Sequence, residues 1–147
     1  MTVHRHRFRV RYGETDQMGY VHHSVYLLYF EEGRTGLMRD LGCSYAAMEA
    51  KGHILPVAEA GMRFRTPLRY DEEVVTESRV EAISGARVRF AYRVLHADGS
   101  LAAEGFTVLA SCGADGRPKR MDPEVAAVLR SALEPAEGSA APASSNP

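Results

Sequence analysis

The chain has 147 residues, 45% of them hydrophobic and 25% charged, with a formal net charge of −1. This suffices for one domain around one core and provides no basic excess to attract nucleic acid or an anionic membrane. No run approaches the ~18–20 apolar residues of a membrane span, and the basic start His4-Arg5-His6-Arg7 leads into no apolar stretch of a secretory signal.

Residues 5–12 alternate strictly. Phe8, Val10 and Tyr12 fall on one side and Arg5, Arg7, Arg9 and Arg11 on the other, which predicts a strand with one buried face. The arginine face reads as a solvated or dimer-facing sheet surface, because the near-zero net charge argues against nucleic acid. A tight turn follows at residues 13–23. It holds the carboxylate of Asp16 between this strand and a helix expected over 24–41, with Ser24 as its N-cap.

In that helix Tyr26, Phe30, Gly33, Leu37 and Leu41 share one face. Val25, Leu27, Leu28, Tyr29 and Met38 spread apolar character further round, which predicts a mostly buried helix. Gly33 and Gly36 each cost about 1 kcal/mol in a helix interior, offset if the helix approaches a sheet closely. Gly42 is placed as the helix stop.

A short helical piece is expected at 45–50, then strands at 54–66, 73–83, 87–95 and 101–111, with Asp98-Gly99 as a hairpin turn and Gly105 as a bulge. Residues 122–133 read as a helix with Asp122 near its cap and Pro123 at its first position. The domain is thus expected over 1–133. Residues 134–147, rich in Ala, Ser and Pro without apolar periodicity, are expected to be a disordered tail. One strand, one long helix and a run of antiparallel strands is an α+β pattern whose uncovered sheet calls for a partner chain.

The turn holds the chemistry. A carboxylate aimed by rigid neighbours can act as nucleophile or base, and unpaired N–H groups at a helix start can receive a developing oxyanion. Asp16 is equally read as no more than the turn's cap. Six histidines show no HxxxH or HExxH spacing, so no metal site is expected. Neither a GxGxxG sequence nor a P-loop occurs, and no cofactor is expected. Cys43 and Cys112 lack CxxC spacing and read as free thiols suited to a reducing cytoplasm.

Tyr12, Glu14, Thr15, Asp16, Gly19, Val21, His23 and Tyr26, continued by Phe30, Glu31 and Arg34, resemble the hot-dog-fold acyl-CoA thioesterases of the 4-hydroxybenzoyl-CoA thioesterase-like family. More narrowly they are similar to the bacterial subgroup encoded with the Tol-Pal envelope system. Weaker echoes are Pro67-Leu68-Arg69-Tyr70-Asp71 and Gly116-Arg117-Pro118, and the likeness spans about residues 5–130. His22 stands where the family commonly has an aromatic.

The resemblance implies a curved antiparallel sheet of about five strands wrapped round a central helix. It implies a homodimer or dimer of dimers, and catalysis at Asp16. The backbone N–H of His23 would polarise the thioester carbonyl. Thr15 would orient Asp16, and Thr15, Gly19 and Tyr26 would line the substrate site. Glu14 reads as a structural acid. Coenzyme A phosphates would call for basic residues at the mouth, and Arg65, Arg69, Arg89, Lys119 and Arg120 are candidates as well as ordinary surface residues. The carrier is left open between coenzyme A and acyl carrier protein. A quinone-pathway hydrolase and a non-catalytic acyl-thioester binder also stay open.

Overall fold

A computed structural model describes residues 1–133; the tail expected at 134–147 lies outside the described residues. The major sheet has five strands: β1 (Val3–Arg9), β3 (Val57–Phe64), β4 (Glu73–Ser84), β5 (Arg87–His96) and β6 (Leu101–Ala110). They run in the order β1-β4-β5-β6-β3 with every neighbouring pair antiparallel. Short strands β2 (His53–Ile54) and β7 (Cys112–Gly113) pair separately. The helices are α1 (Val25–Asp40), α2 (Tyr45–Ala50) and α3 (Pro123–Leu133). One long helix against a five-stranded antiparallel sheet is the expected α+β hot-dog architecture.

The two helix glycines explain how α1 seats on the sheet. A Cβ on Gly33 would strike the Ser78 hydroxyl of β4, and one on Gly36 would strike the His4 ring of β1. Phe30 is fully buried and stacks on Tyr92 of β5 at 4.4 Å between centroids. It does so above Gly105, where a Cβ would meet the Gly61 carbonyl oxygen at 2.5 Å and the Phe30 ring at 2.8 Å. Gly105 is therefore no bulge: it pairs in register with Tyr92 and Met62, and its missing side chain makes room for Phe30. Leu37, Met38, Val80, Phe90, Leu109 and Leu129 complete the centre of the core. Gly42 ends α1 at φ 85°, and the Cys43 N–H donates to Met38 O at 2.8 Å. Asp122 accepts from the Glu124 N–H at 2.9 Å and caps α3.

Four expectations need correction. β1 ends at Arg9 and the chain enters a single 3-10 turn over Tyr12–Glu14, which throws Tyr12 out to 78% exposure. Ser24 holds the N-cap position of α1, but its side chain caps nothing. Its backbone is already helical and its hydroxyl is bonded to His22 Nδ1 at 2.8 Å. The single strand expected at 54–66 is broken at Leu55-Pro56, where proline supplies no N–H and its carbonyl instead accepts from Ala110. The outer side of the first turn of α1 is uncovered in the protomer, with Leu27 at 41% and Leu28 at 56% exposure.

The arginine face of β1 is explained by β4, where Arg5 pairs with Glu77 at 2.9 Å and Arg7 with Glu73 at 3.5 Å. Both thiols are free, and burial pushes that of Cys43 up.

Candidate active site

The 3-10 turn ends in a small hairpin that is held from inside and from behind. Inside, the Thr15 hydroxyl donates to Tyr12 O at 2.8 Å and Thr15 bridges to Val21. The Asp16 N–H donates to Tyr20 O at 2.8 Å and the Gly19 N–H to Asp16 O at 2.9 Å. Gly19 lies at φ 83°, a conformation that requires glycine. From behind, the Val21 N–H donates to Leu68 O at 2.8 Å, Tyr20 bridges to Arg69, and the Arg69 guanidinium lies 4.9 Å from the centre of the Tyr20 ring.

Asp16 is half-buried in this turn. Its Oδ1 accepts from the Met18 N–H at 2.9 Å and the Tyr20 N–H at 3.3 Å, so one carboxylate oxygen is fixed by backbone donors. The carboxylate thus caps its turn, as one reading of the sequence has it, and that same capping aims the other oxygen. Thr15 does not touch the carboxylate, because its hydroxyl is spent on Tyr12.

Glu14 ties the turn to the helix. Its Oε1 accepts from the Arg11 N–H at 2.8 Å and the Tyr29 hydroxyl at 3.0 Å. Burial, and then the Glu14 charge, push the Tyr29 hydroxyl far above its ordinary range. Tyr26 is 3% exposed. Its hydroxyl is pushed up to about 12 by burial first and Glu72 second, with the facing Leu68 N–H acting against them. Both phenols therefore stay protonated across the neutral range.

Acyl transfer also needs a donor for the developing oxyanion, and the helix start is where a chain carries unpaired N–H groups. The Val25 N–H donates to His22 O, and the Ser24 N–H to His22 Nδ1 at 3.2 Å. The His23 N–H meets no acceptor among the described residues. An unpaired N–H at a helix N-terminus attracts negative oxygen. The exposed His23 ring stacks on His22, 4.2 Å between centroids.

The basic candidates separate. Arg69 is exposed beside the turn, and its guanidinium pairs with no carboxylate among the described residues. Arg65 follows β3 and pairs with Glu104 at 2.7 Å. Arg89 pairs with Glu81 at 2.7 Å and covers the Phe106 ring at 3.8 Å. It sits seven residues before His96 on β5, roughly 20 Å along the strand at ~3.3 Å per residue from the end that packs against segment 66–72. Lys119 lies 3.5 Å from Gly52 O, and Arg120 is exposed.

Sequence reasoning does not place the segment 66–72 behind the turn. Pro67-Leu68-Arg69-Tyr70-Asp71 stands out in the sequence, but nothing local reveals that Leu68 and Arg69 abut the hairpin.

A family model described as Thioesterase-like superfamily matches residues 10–129. A Bacillus subtilis protein named as a candidate acyl-CoA thioesterase, YneP, is 40% identical over 101 residues, 69% of this chain and 73% of that protein. Among solved structures, a DHNA-CoA thioesterase from Staphylococcus aureus superposes with a TM-score of 0.85 at 32% identity, covering 89% of this chain and 91% of that one. The hypothetical protein TT1821 from Thermus thermophilus gives 0.84 at 39% identity, covering 88% and 98%. The chain belongs to the Thioesterase-like superfamily, and the class expected from its sequence, a thioester hydrolase of hot-dog fold, is borne out.

Proposed function

We propose that this protein hydrolyses acyl-CoA thioesters to free acid and coenzyme A, with Asp16 as the reacting carboxylate. The observation that carries the reading is the pairing of an aimed carboxylate with an unpartnered helix-start N–H at His23. The thioester carbonyl oxygen takes the His23 N–H, and negative charge gathered there in the transition state is met by the helix start. The Asp16 oxygen not held by the turn then attacks the acyl carbon, or takes a proton from a water that does so. Expulsion of the thiolate gives the free acid directly when water attacks; when Asp16 attacks, it leaves an acyl–Asp16 anhydride that water then hydrolyses, releasing the acid and restoring the carboxylate. Glu14 fixes the turn to α1, and Tyr26 walls the acyl group.

Arg69, its guanidinium unneutralised beside the turn, is the best placed of the basic candidates to meet a phosphate. Arg65 and Arg89 reach substrate only by leaving carboxylate partners. The protein works as a homo-oligomer in the cytoplasm on this reading, and its sequence supports no metal or cofactor role.

Thiol release from a panel of short, long and aromatic acyl-CoAs tests the function. Turnover of at least one class is expected; none, with tight acyl-CoA binding retained, makes the protein a non-catalytic binder.

A further inference from the structure

His96 ends β5, where its backbone is fixed by the hairpin: its N–H donates to Ser100 O at 2.9 Å and its carbonyl accepts from Gly99 at 2.9 Å. Both ring nitrogens are engaged. Nδ1 pairs with Glu72 Oε1, and Nε2 lies 2.7 Å from the Thr66 hydroxyl. That hydroxyl also lies 3.1 Å from Leu101 O. The ring thus bridges Glu72 to Thr66, the two ends of segment 66–72.

This segment is what the Asp16 hairpin leans on. Glu72 Oε2 accepts from the Arg69 N–H at 3.0 Å. Arg69 bridges to Tyr20, and Tyr20 holds Asp16 through both its N–H and its carbonyl. Leu68 receives the Val21 N–H and is fully buried. Asp71 is held at φ 64°, rare outside glycine, with its N–H on Val10 O and its carbonyl on Arg9 Nη1. A segment bent that way needs its ends clamped.

We propose that His96 is a positioning residue for Asp16, acting through Glu72, Thr66 and the segment between them. The inference rests on the catalytic reading of Asp16. A carboxylate displaced by about 1 Å can lose around a hundredfold in rate, so a slackened support is visible in turnover.

The test compares His96→Phe, Thr66→Val and Thr66→Ser with Asp16→Asn on the best substrate of the panel, with amide exchange followed at Val21. His96→Phe and Thr66→Val are expected to lose about tenfold in kcat with KM within about twofold, and Thr66→Ser to keep parental turnover. The Val21 amide should exchange faster in the first two variants, while β4 and β5 amides keep their protection. Thr66→Val carries the test if His96→Phe does not fold. Parental kcat in both, equal losses in Thr66→Ser and Thr66→Val, or losses confined to KM would overturn the proposal. Normal turnover by Asp16→Asn defeats the catalytic reading instead, and exchange at Val21 still decides whether His96 holds the hairpin.

Discussion

Asp16 and Glu14 are two carboxylates two positions apart with opposite engagements. Glu14 is enclosed by Arg11 and Tyr29, whereas Asp16 spends one oxygen on its own turn and keeps the other. Asp16→Asn preserves shape and retains an oxygen for the Met18 and Tyr20 amides, so the turn should survive while the oxygen proposed to react is lost. Its kcat should drop at least ~10²-fold with little change in binding. Glu14→Gln keeps an acceptor for Tyr29 and should lose less than about tenfold. Circular dichroism must show both variants folded. Near-parental turnover by Asp16→Asn would remove it from the chemistry.

At the scale of elements, α1 and the sheet fit through missing side chains. Gly105→Ala places a Cβ against the Gly61 backbone carbonyl and the Phe30 ring, neither free to step aside. Overpacking of this kind costs about 1–3 kcal/mol, or a drop in Tm of roughly 3–12 °C in a domain of this size. Gly13→Ala, where nothing lies within 4 Å, serves as the control and should stay near the parent. Equal Tm values for the two variants would mean that β6 yields more readily than the contacts imply.

The elements themselves are largely legible in the sequence, because periods of two and of 3.6 are local facts. β4, β5 and β6 fall within a residue or two of expectation, as does α1. Tyr12 and the capping role of the Ser24 side chain are misread because strand alternation and cap preference say nothing of where tertiary contacts bend the chain. Asp16 is legible through its motif, whereas His96 lies 24 residues from Glu72 and 30 from Thr66 and meets them only after β4 and β5 pair.

Across the whole molecule, burial sets a pH limit. Tyr26 and Tyr92 are pushed up to about 12, in each case chiefly by burial, and Tyr29 is raised further. In the unfolded chain these phenols return to about 10. Between about 10 and 12 the folded state holds more protons than the unfolded one, so stability falls as pH rises through that window and these groups contribute no dependence below it. Tm should therefore decline from about pH 10, with phenolate absorbance from these residues rising at the unfolding transition. A level Tm across the window would contradict their enclosure.

The two edges of the sheet differ in a way that bears on assembly. The β1 edge carries Arg5, Arg7 and Arg9, charges that discourage strand addition. The β3 edge carries Val57, Ala58, Ala60 and Phe64, all exposed, with Val57 at 48% and Phe64 at 51%. Phe64 packs on Tyr26 with ring centroids 5.1 Å apart, so this edge adjoins the wall proposed for the acyl site, and the uncovered Leu27 and Leu28 lie one and two residues beyond Tyr26 on α1. A second copy adding its β3 to this edge would extend the sheet and could cover the apolar start of α1 in a two-fold interface. Light scattering at micromolar concentration should give a dimer or a multiple of it. Val57→Lys with Leu28→Glu should shift that mass toward the monomer and reduce kcat/KM, although neither residue touches Asp16. A parent protein that is already monomeric would defeat the assembly. A monomeric double variant with undiminished kcat/KM would show that the acyl site is complete within one chain.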